Sequence, residues 1–105
     1  MEFIETDLFL KRAHKLLSDN DYALLQMFLW ANPKAGTLIP GGHGLRKVRW
    51  HSSIISCGKR GGARIIYYCI CADRILMLFA YAKNKQESLS AKELESLSLL
   101  ARREI

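Results

Sequence analysis

Acidic residues are missing from the middle of this chain: none occurs between Tyr22 and Ala72. The same stretch carries Lys34, Arg46, Lys47, Arg49, Lys59, Arg60 and Arg64. The flanks hold nearly balanced charges, so the formal net charge of +6 resides in the centre. A field of one sign attracts a polyanion, and nucleic acid is the obvious one. The alternative is a basic solvated face with no partner. Net charge speaks to association and not to fold.

Long apolar runs are absent as well. The longest, Ile65–Ala72 and Ile75–Ala82, have eight residues each, whereas a membrane-spanning helix needs about 20. They read as buried strands, and no membrane association is expected. Proline occurs only twice, half the residues are apolar and a quarter are charged. That composition belongs to a globular chain and not to a disordered one. The 105 residues suit a single domain over 1–105 with a modest core. The start, Met1-Glu2-Phe3-Ile4-Glu5-Thr6-Asp7, has no basic segment followed by an apolar one, so no signal peptide is expected.

Cysteine and histidine are sparse. Cys57, Cys69 and Cys71 cannot pair evenly, and zinc sites usually present four ligands in paired clusters. His14, His43 and His51 lack an H-x-x-x-H spacing. Buried free thiols in a reducing cytoplasm are the expectation, with no metal and no cofactor.

The polar punctuation marks the elements. Phe3 and Ile4 open a short strand. Thr6 or Asp7 caps a helix through about Leu17, in which Leu8, Phe9, Ala13, Leu16 and Leu17 recur at helical spacing. His14 belongs on its surface. Ser18 followed by Asp21 resembles a capping box. A second helix then runs from about Asp21 to Ala31, with Tyr22, Leu25, Phe28 and Leu29 as its stripe, and Asn32-Pro33 ends it.

Lys34–Gly44 is glycine-rich but lacks the G-x-x-x-x-G-K-[ST] spacing of a phosphate loop. It reads as a flexible loop. Leu45–Trp50 alternates as a strand, with Val48 and Trp50 on the face of the Arg46 stem and Lys47 and Arg49 on the other. Ser52–Gly62 is a loop. Arg64–Cys71 and Ile75–Ala82 are apolar strands joined by a turn at Ala72-Asp73-Arg74. Their unbroken hydrophobicity implies burial on both faces. Ser90-Ala91-Lys92-Glu93 is a capping box for a last helix with Leu94, Leu97, Leu100 and Ala101 as its stripe.

A hairpin around Ala72-Asp73-Arg74 sets Arg64 opposite residue 81, 82 or 83. Lys83 then lies close to Arg64. If the Leu45–Trp50 strand pairs antiparallel with the Arg64 strand, Lys47 and Arg49 flank the same sheet face, with Tyr81 beside them. Such a cluster can grip phosphodiesters, since arginine clamps a phosphate in bidentate fashion. It can also stabilise the charge that grows on a pentavalent phosphorus. No carboxylate cluster is placed to hold Mg²⁺ for two-metal hydrolysis. Cleavage would then use attack by the RNA 2′-hydroxyl, with a lysine of lowered pKa as base. Binding of nucleic acid, or of an acidic protein surface, without chemistry is the simpler reading of the residues alone.

Several segments together resemble the RelE/HigB-type toxins of bacterial toxin–antitoxin systems, most of all the HigB branch. They are Asn32-Pro33 with Gly36, then Ile39-Pro40-Gly41-Gly42-His43-Gly44-Leu45-Arg46-Lys47-Val48-Arg49. Next comes Gly58-Lys59-Arg60-Gly61-Gly62-Ala63-Arg64-Ile65-Ile66-Tyr67-Tyr68, and last Tyr81-Ala82-Lys83-Asn84-Lys85-Gln86-Glu87-Ser88-Leu89-Ser90. They occur in family order and cover most of the chain.

The elements read along the chain follow the order β-α-α-β-β-β-α, and the resemblance implies a small RelE-like α+β fold with helices packed on a twisted, mainly antiparallel sheet. It implies metal-free endoribonuclease cleavage of mRNA in the ribosomal A site, which leaves a 2′,3′-cyclic phosphate. Lys47 and Arg49 match the paired bases of the family's second strand, and Arg64 matches its sheet arginine. On this reading Arg64 stabilises the transition state and Lys47 or Lys83 moves the proton. Arg46, Arg49, Lys59, Arg60 and Tyr81 contact RNA.

The implied partners are mRNA, the ribosome and a cognate helix-turn-helix antitoxin. The chain departs from RelE at Asn84, where RelE has arginine, and near Ser90, where RelE has its C-terminal tyrosine. His43 and His51 are stand-ins for the missing acid–base group. The same fold hosts ParE-like toxins that inhibit DNA gyrase without a nuclease site, and an inactive antitoxin-binding homologue is a third reading.

Overall fold

Each helix begins on a short polar sequence that satisfies its first backbone N–H groups. Thr6 Oγ1 accepts the Phe9 N–H at 3.0 Å, and its hydroxyl donates to the Met77 carbonyl at 3.1 Å. Ser18 Oγ accepts the Asp21 N–H, and the Asp21 carboxylate accepts the Ser18 N–H, both at 3.0 Å. Ser90 and Glu93 repeat that reciprocal pair at 3.1 and 2.9 Å. Each such cap contributes about 1 kcal/mol.

The computed structural model describes residues 1–55, 62–86 and 88–104. In chain order its elements are β1 (Glu2–Glu5), α1 (Asp7–Leu16), α2 (Asp19–Ala31), β2 (Thr37–Leu38), β3 (Leu45–Trp50), β4 (Ala63–Cys71), β5 (Arg74–Ala82) and α3 (Ala91–Glu104). The fold is α+β. Its sheet has the order β1-β5-β4-β3-β2, with β1 parallel to β5 and the other neighbours antiparallel.

One strand was not expected. β2 lies inside the glycine-rich connection and pairs Thr37 with Lys47 and Leu38 with Arg46. Lys59, Arg60 and Cys57 fall outside the described residues.

The sheet separates two apolar clusters. On one face Val48, Ala63, Ile65, Tyr67, Ile75, Met77 and Ala80 pack with Phe9, Ala13, Leu17, Leu25 and Leu29 of the α1–α2 segment. On the other, Leu45, Ile66, Leu76, Leu78, Phe79 and Tyr81 pack with Leu97 and Ala101 of α3. A register shift between Ile66 and Tyr67 lets Leu78 and Phe79 both face the α3 side. β5 is therefore buried from Ile75 to Ala82, which accounts for its unbroken apolar sequence. Among the described residues no helix is long and apolar enough to cross a membrane.

The expectation of buried thiols is corrected for two cysteines. Cys69 is half-buried and Cys71 is exposed. Burial along β4 fades after Tyr67, toward its turn to β5. The Cys71 thiol donates to Asp73 Oδ1 at 3.0 Å.

Candidate functional site

Strand register brings the central bases together. Arg49 pairs with Arg64 across β3 and β4, and Arg64 pairs with Tyr81 across β4 and β5. Lys47 shares the Arg49 face because side chains two apart on a strand point the same way. Just past β5, the Lys83 N–H donates to the Gly62 carbonyl at 3.1 Å, which holds Lys83 beside the start of β4. Lys47, Arg49, Arg64 and Lys83 line one open depression of about 410 Å³, with Ala35, Gly36, Thr37 and Val48 completing its wall. Among the described residues, none that lines it is acidic.

The four bases differ in depth. Arg64 is only 4% exposed, so it forms the floor. Lys47 and Lys83 are half-buried and Arg49 is exposed. A planar guanidinium at the base of a cleft, with flexible cations around the rim, suits a bidentate grip on a phosphate. The low local dielectric beside a buried cation strengthens that attraction relative to water.

The wall of this cleft is pinned from the opposite face of the sheet. Tyr67 is fully buried. Its hydroxyl accepts the Gly36 N–H at 2.8 Å and donates to the Pro33 carbonyl at 2.9 Å. Burial raises the Tyr67 pKa, against the lowering effects of the Gly36 bond and the Arg46 charge, so the phenol keeps the proton that it donates. Arg46 Nη1 donates to the carbonyls of Lys34 at 3.1 Å and Gly36 at 2.8 Å. A Cβ on Gly36 would lie 2.8 Å from the Tyr67 ring and 3.0 Å from the Lys47 carbonyl. Only glycine permits that approach.

A second anchor fixes the exit of β3. The Asp21 carboxylate accepts the Ser53 N–H and the Ser53 hydroxyl, each at 2.8 Å, besides its bond from Ser18. The Ser52 hydroxyl donates to the Leu16 carbonyl, and Trp50 Nε1 donates to the Asp21 carbonyl at 2.9 Å. Burial works to raise the Asp21 pKa, but the hydrogen bonds from Ser53 and Ser18 outweigh it and hold the group at about 2. The last acid before the acid-free stretch is thus occupied within the scaffold.

Three sequence-derived site residues, Tyr81, Arg46 and His43, do not line the cleft. Tyr81 faces the α3 cluster and is 3% exposed; it packs against Phe79 with ring centroids 6.1 Å apart and offers no open face for a base. Arg46 belongs to the opposite face, where it holds the loop, and does not line the cleft. His43 lines a separate depression with Glu95 and Arg102 of α3, beyond the end of β3 remote from Arg49. His51 is exposed and follows Trp50 at the Arg49 end of β3.

Tyr67, Gly36 and Thr37 were missed as contributors to the cleft. The glycine, one of several in Lys34–Gly44, signalled only a loop. The tyrosine carried no signal, being one apolar letter in a buried strand. Among the described residues no group of three His, Cys, Asp or Glu side chains is arranged to hold a metal ion. No protein-family model matches the chain.

Proposed function

We propose that this protein is a cytoplasmic endoribonuclease toxin of the RelE/HigB type, cleaving mRNA in the ribosomal A site without a metal. The supporting observation is the convergence of Lys47, Arg49, Arg64 and Lys83 on one cleft. In this reading the scissile phosphate sits over Arg64, whose guanidinium offsets the negative charge gained when the 2′-hydroxyl oxygen attacks phosphorus. Lys47 or Lys83 accepts the 2′-hydroxyl proton. The 5′-oxygen leaves as a hydroxyl after gaining a proton, and the other product carries the 2′,3′-cyclic phosphate. His51 is nearer than His43 to the Arg49 end of the cleft and is the better candidate donor. The mRNA and ribosome are the substrate assembly, and a helix-turn-helix antitoxin is the cognate inhibitor.

Brief induction in bacteria, followed by mapping of new RNA 5′ ends, tests this reading. New ends in phase with codons, confined to translated regions and lost with Arg64→Ala, are the expected result. Growth arrest without such ends would transfer the assignment to a protein target such as gyrase, as for ParE-like toxins. No arrest would leave an inactive antitoxin-binding protein.

A further inference from the structure

Helix α2 turns an apolar face outward as well as inward. Leu25 and Leu29 are fully buried against the sheet. Leu24, Met27 and Trp30 are nonetheless 49%, 65% and 62% exposed. Ala23, Phe28 and Ala31 are exposed too. Residues 24, 27, 28 and 31 recur at the spacing of one helical stripe, with Ala23 and Trp30 along its edge. Phe28 is held in place from behind, its ring centroid 5.3 Å from that of Trp50. A fixed apolar stripe of this kind marks an interaction surface.

The charges at its ends identify what fits. From Tyr22 to Pro33 there is no charged residue. Asp19 is exposed in the first turn, and Lys34 is exposed two residues past the Asn32 cap. Asp21, the one acid between them, is buried and bonded to Ser18 and Ser53. An acid at one end, a base at the other and no exposed charge between them is the pattern that is complementary to itself in reverse. We infer that a second copy of this chain docks here, with the two α2 helices antiparallel about a two-fold axis near Met27. Asp19 of each copy then faces Lys34 of the other, while the alanines leave room for the partner's Met27 and Trp30. The helix dipoles also oppose favourably in this arrangement. A two-fold contact uses the same patch on both subunits. Four large side chains and two alanines make a narrow contact beside the roughly 20–30 residues a side of a standard interface, so the dimer is weak and concentration-dependent.

Sedimentation equilibrium of the purified chain, up to a concentration on the order of 1 mM, tests this directly. A reversible monomer–dimer equilibrium is expected. Met27→Glu places two carboxylates at the axis and should abolish it. Asp19→Lys and Lys34→Asp should each weaken association at least several-fold, and the double exchange should restore it. Circular dichroism checks that each variant remains folded, and Met27 is exposed enough to change without disturbing the core. A chain that stays monomeric throughout overturns the inference and assigns the stripe to a different protein. A dimer indifferent to Met27→Glu, or an exchange that fails to rescue, overturns it equally.

Discussion

Arg49 stands directly opposite Arg64 on the neighbouring strand. Like charges in that position repel, whereas a favourable cross-strand pair is worth about 0.2–1 kcal/mol. The Arg49–Arg64 repulsion by itself works against the fold, and an anion over the pair reverses the sign of that interaction. Arg49→Gln should therefore raise stability by about 0.3 kcal/mol while weakening RNA binding. Chemical denaturation and oligonucleotide titration on the same preparation check both halves. Parallel losses of stability and binding would deny that the pair is a functional compromise.

RNA binding by the cleft should be strongly salt-dependent. Each phosphate contact to a single strand contributes about −0.7 to the slope of log K against log salt. Four contacts from Lys47, Arg49, Arg64 and Lys83 predict a slope near −3. Lys83→Ala should remove about one contact's share. Fluorescence titration of a short single-stranded RNA at several salt concentrations gives the value. A slope unchanged by Lys83→Ala would place the RNA elsewhere.

Asp21 links stability to acidity. Its pKa falls from 3.8 to about 2 on folding, so the folded state favours the carboxylate. That contribution is complete above the unfolded value and is lost as pH falls through the interval from 3.8 toward about 2. The shift amounts to about 2 kcal/mol at most. Asp21→Ala should destabilise at neutral pH by about 2 kcal/mol, since it removes a cap and leaves the Ser53 N–H unsatisfied. The variant's stability should then decline less over the same acid interval. Urea denaturation at pH values across that range measures the difference.

The central cleft was legible because strand geometry converts sequence spacing into position. Alternation in Leu45–Trp50 assigned Lys47 and Arg49 to one face, and counting back from Ala72-Asp73-Arg74 set Arg64 near Tyr81 and Lys83. The observed pairs are Arg49 with Arg64 and Arg64 with Tyr81. What failed depended on partners distant in sequence. Tyr81 shares the face of the cleft, but only the docking of α3 decides that it is covered. β2 is two residues long and exists through its pairing with β3, which no local pattern encodes. Alternation put Arg46 on the right face. Its partners, the Lys34 and Gly36 carbonyls, depend on how the loop returns. The bulge between Ile66 and Tyr67 is hidden because both flanking strands are apolar throughout.

Tyr67 and Gly36 make the cleft sensitive to changes made behind it. Tyr67→Phe preserves the ring but leaves the Gly36 N–H and the Pro33 carbonyl without the hydroxyl. Loss of these two hydrogen bonds, one buried and one partly so, should cost about 1–3 kcal/mol. Gly36→Ala must displace the Tyr67 ring or the Lys47 carbonyl, an overpacking that costs about 1–3 kcal/mol. Both changes should also release the wall formed by Ala35, Gly36 and Thr37, although neither touches a basic side chain. RNA binding should therefore weaken under conditions where each variant is still fully folded. Thermal denaturation paired with oligonucleotide binding at low temperature separates the two effects. Wild-type binding by a folded, destabilised Tyr67→Phe variant would show that the loop wall does not shape the site.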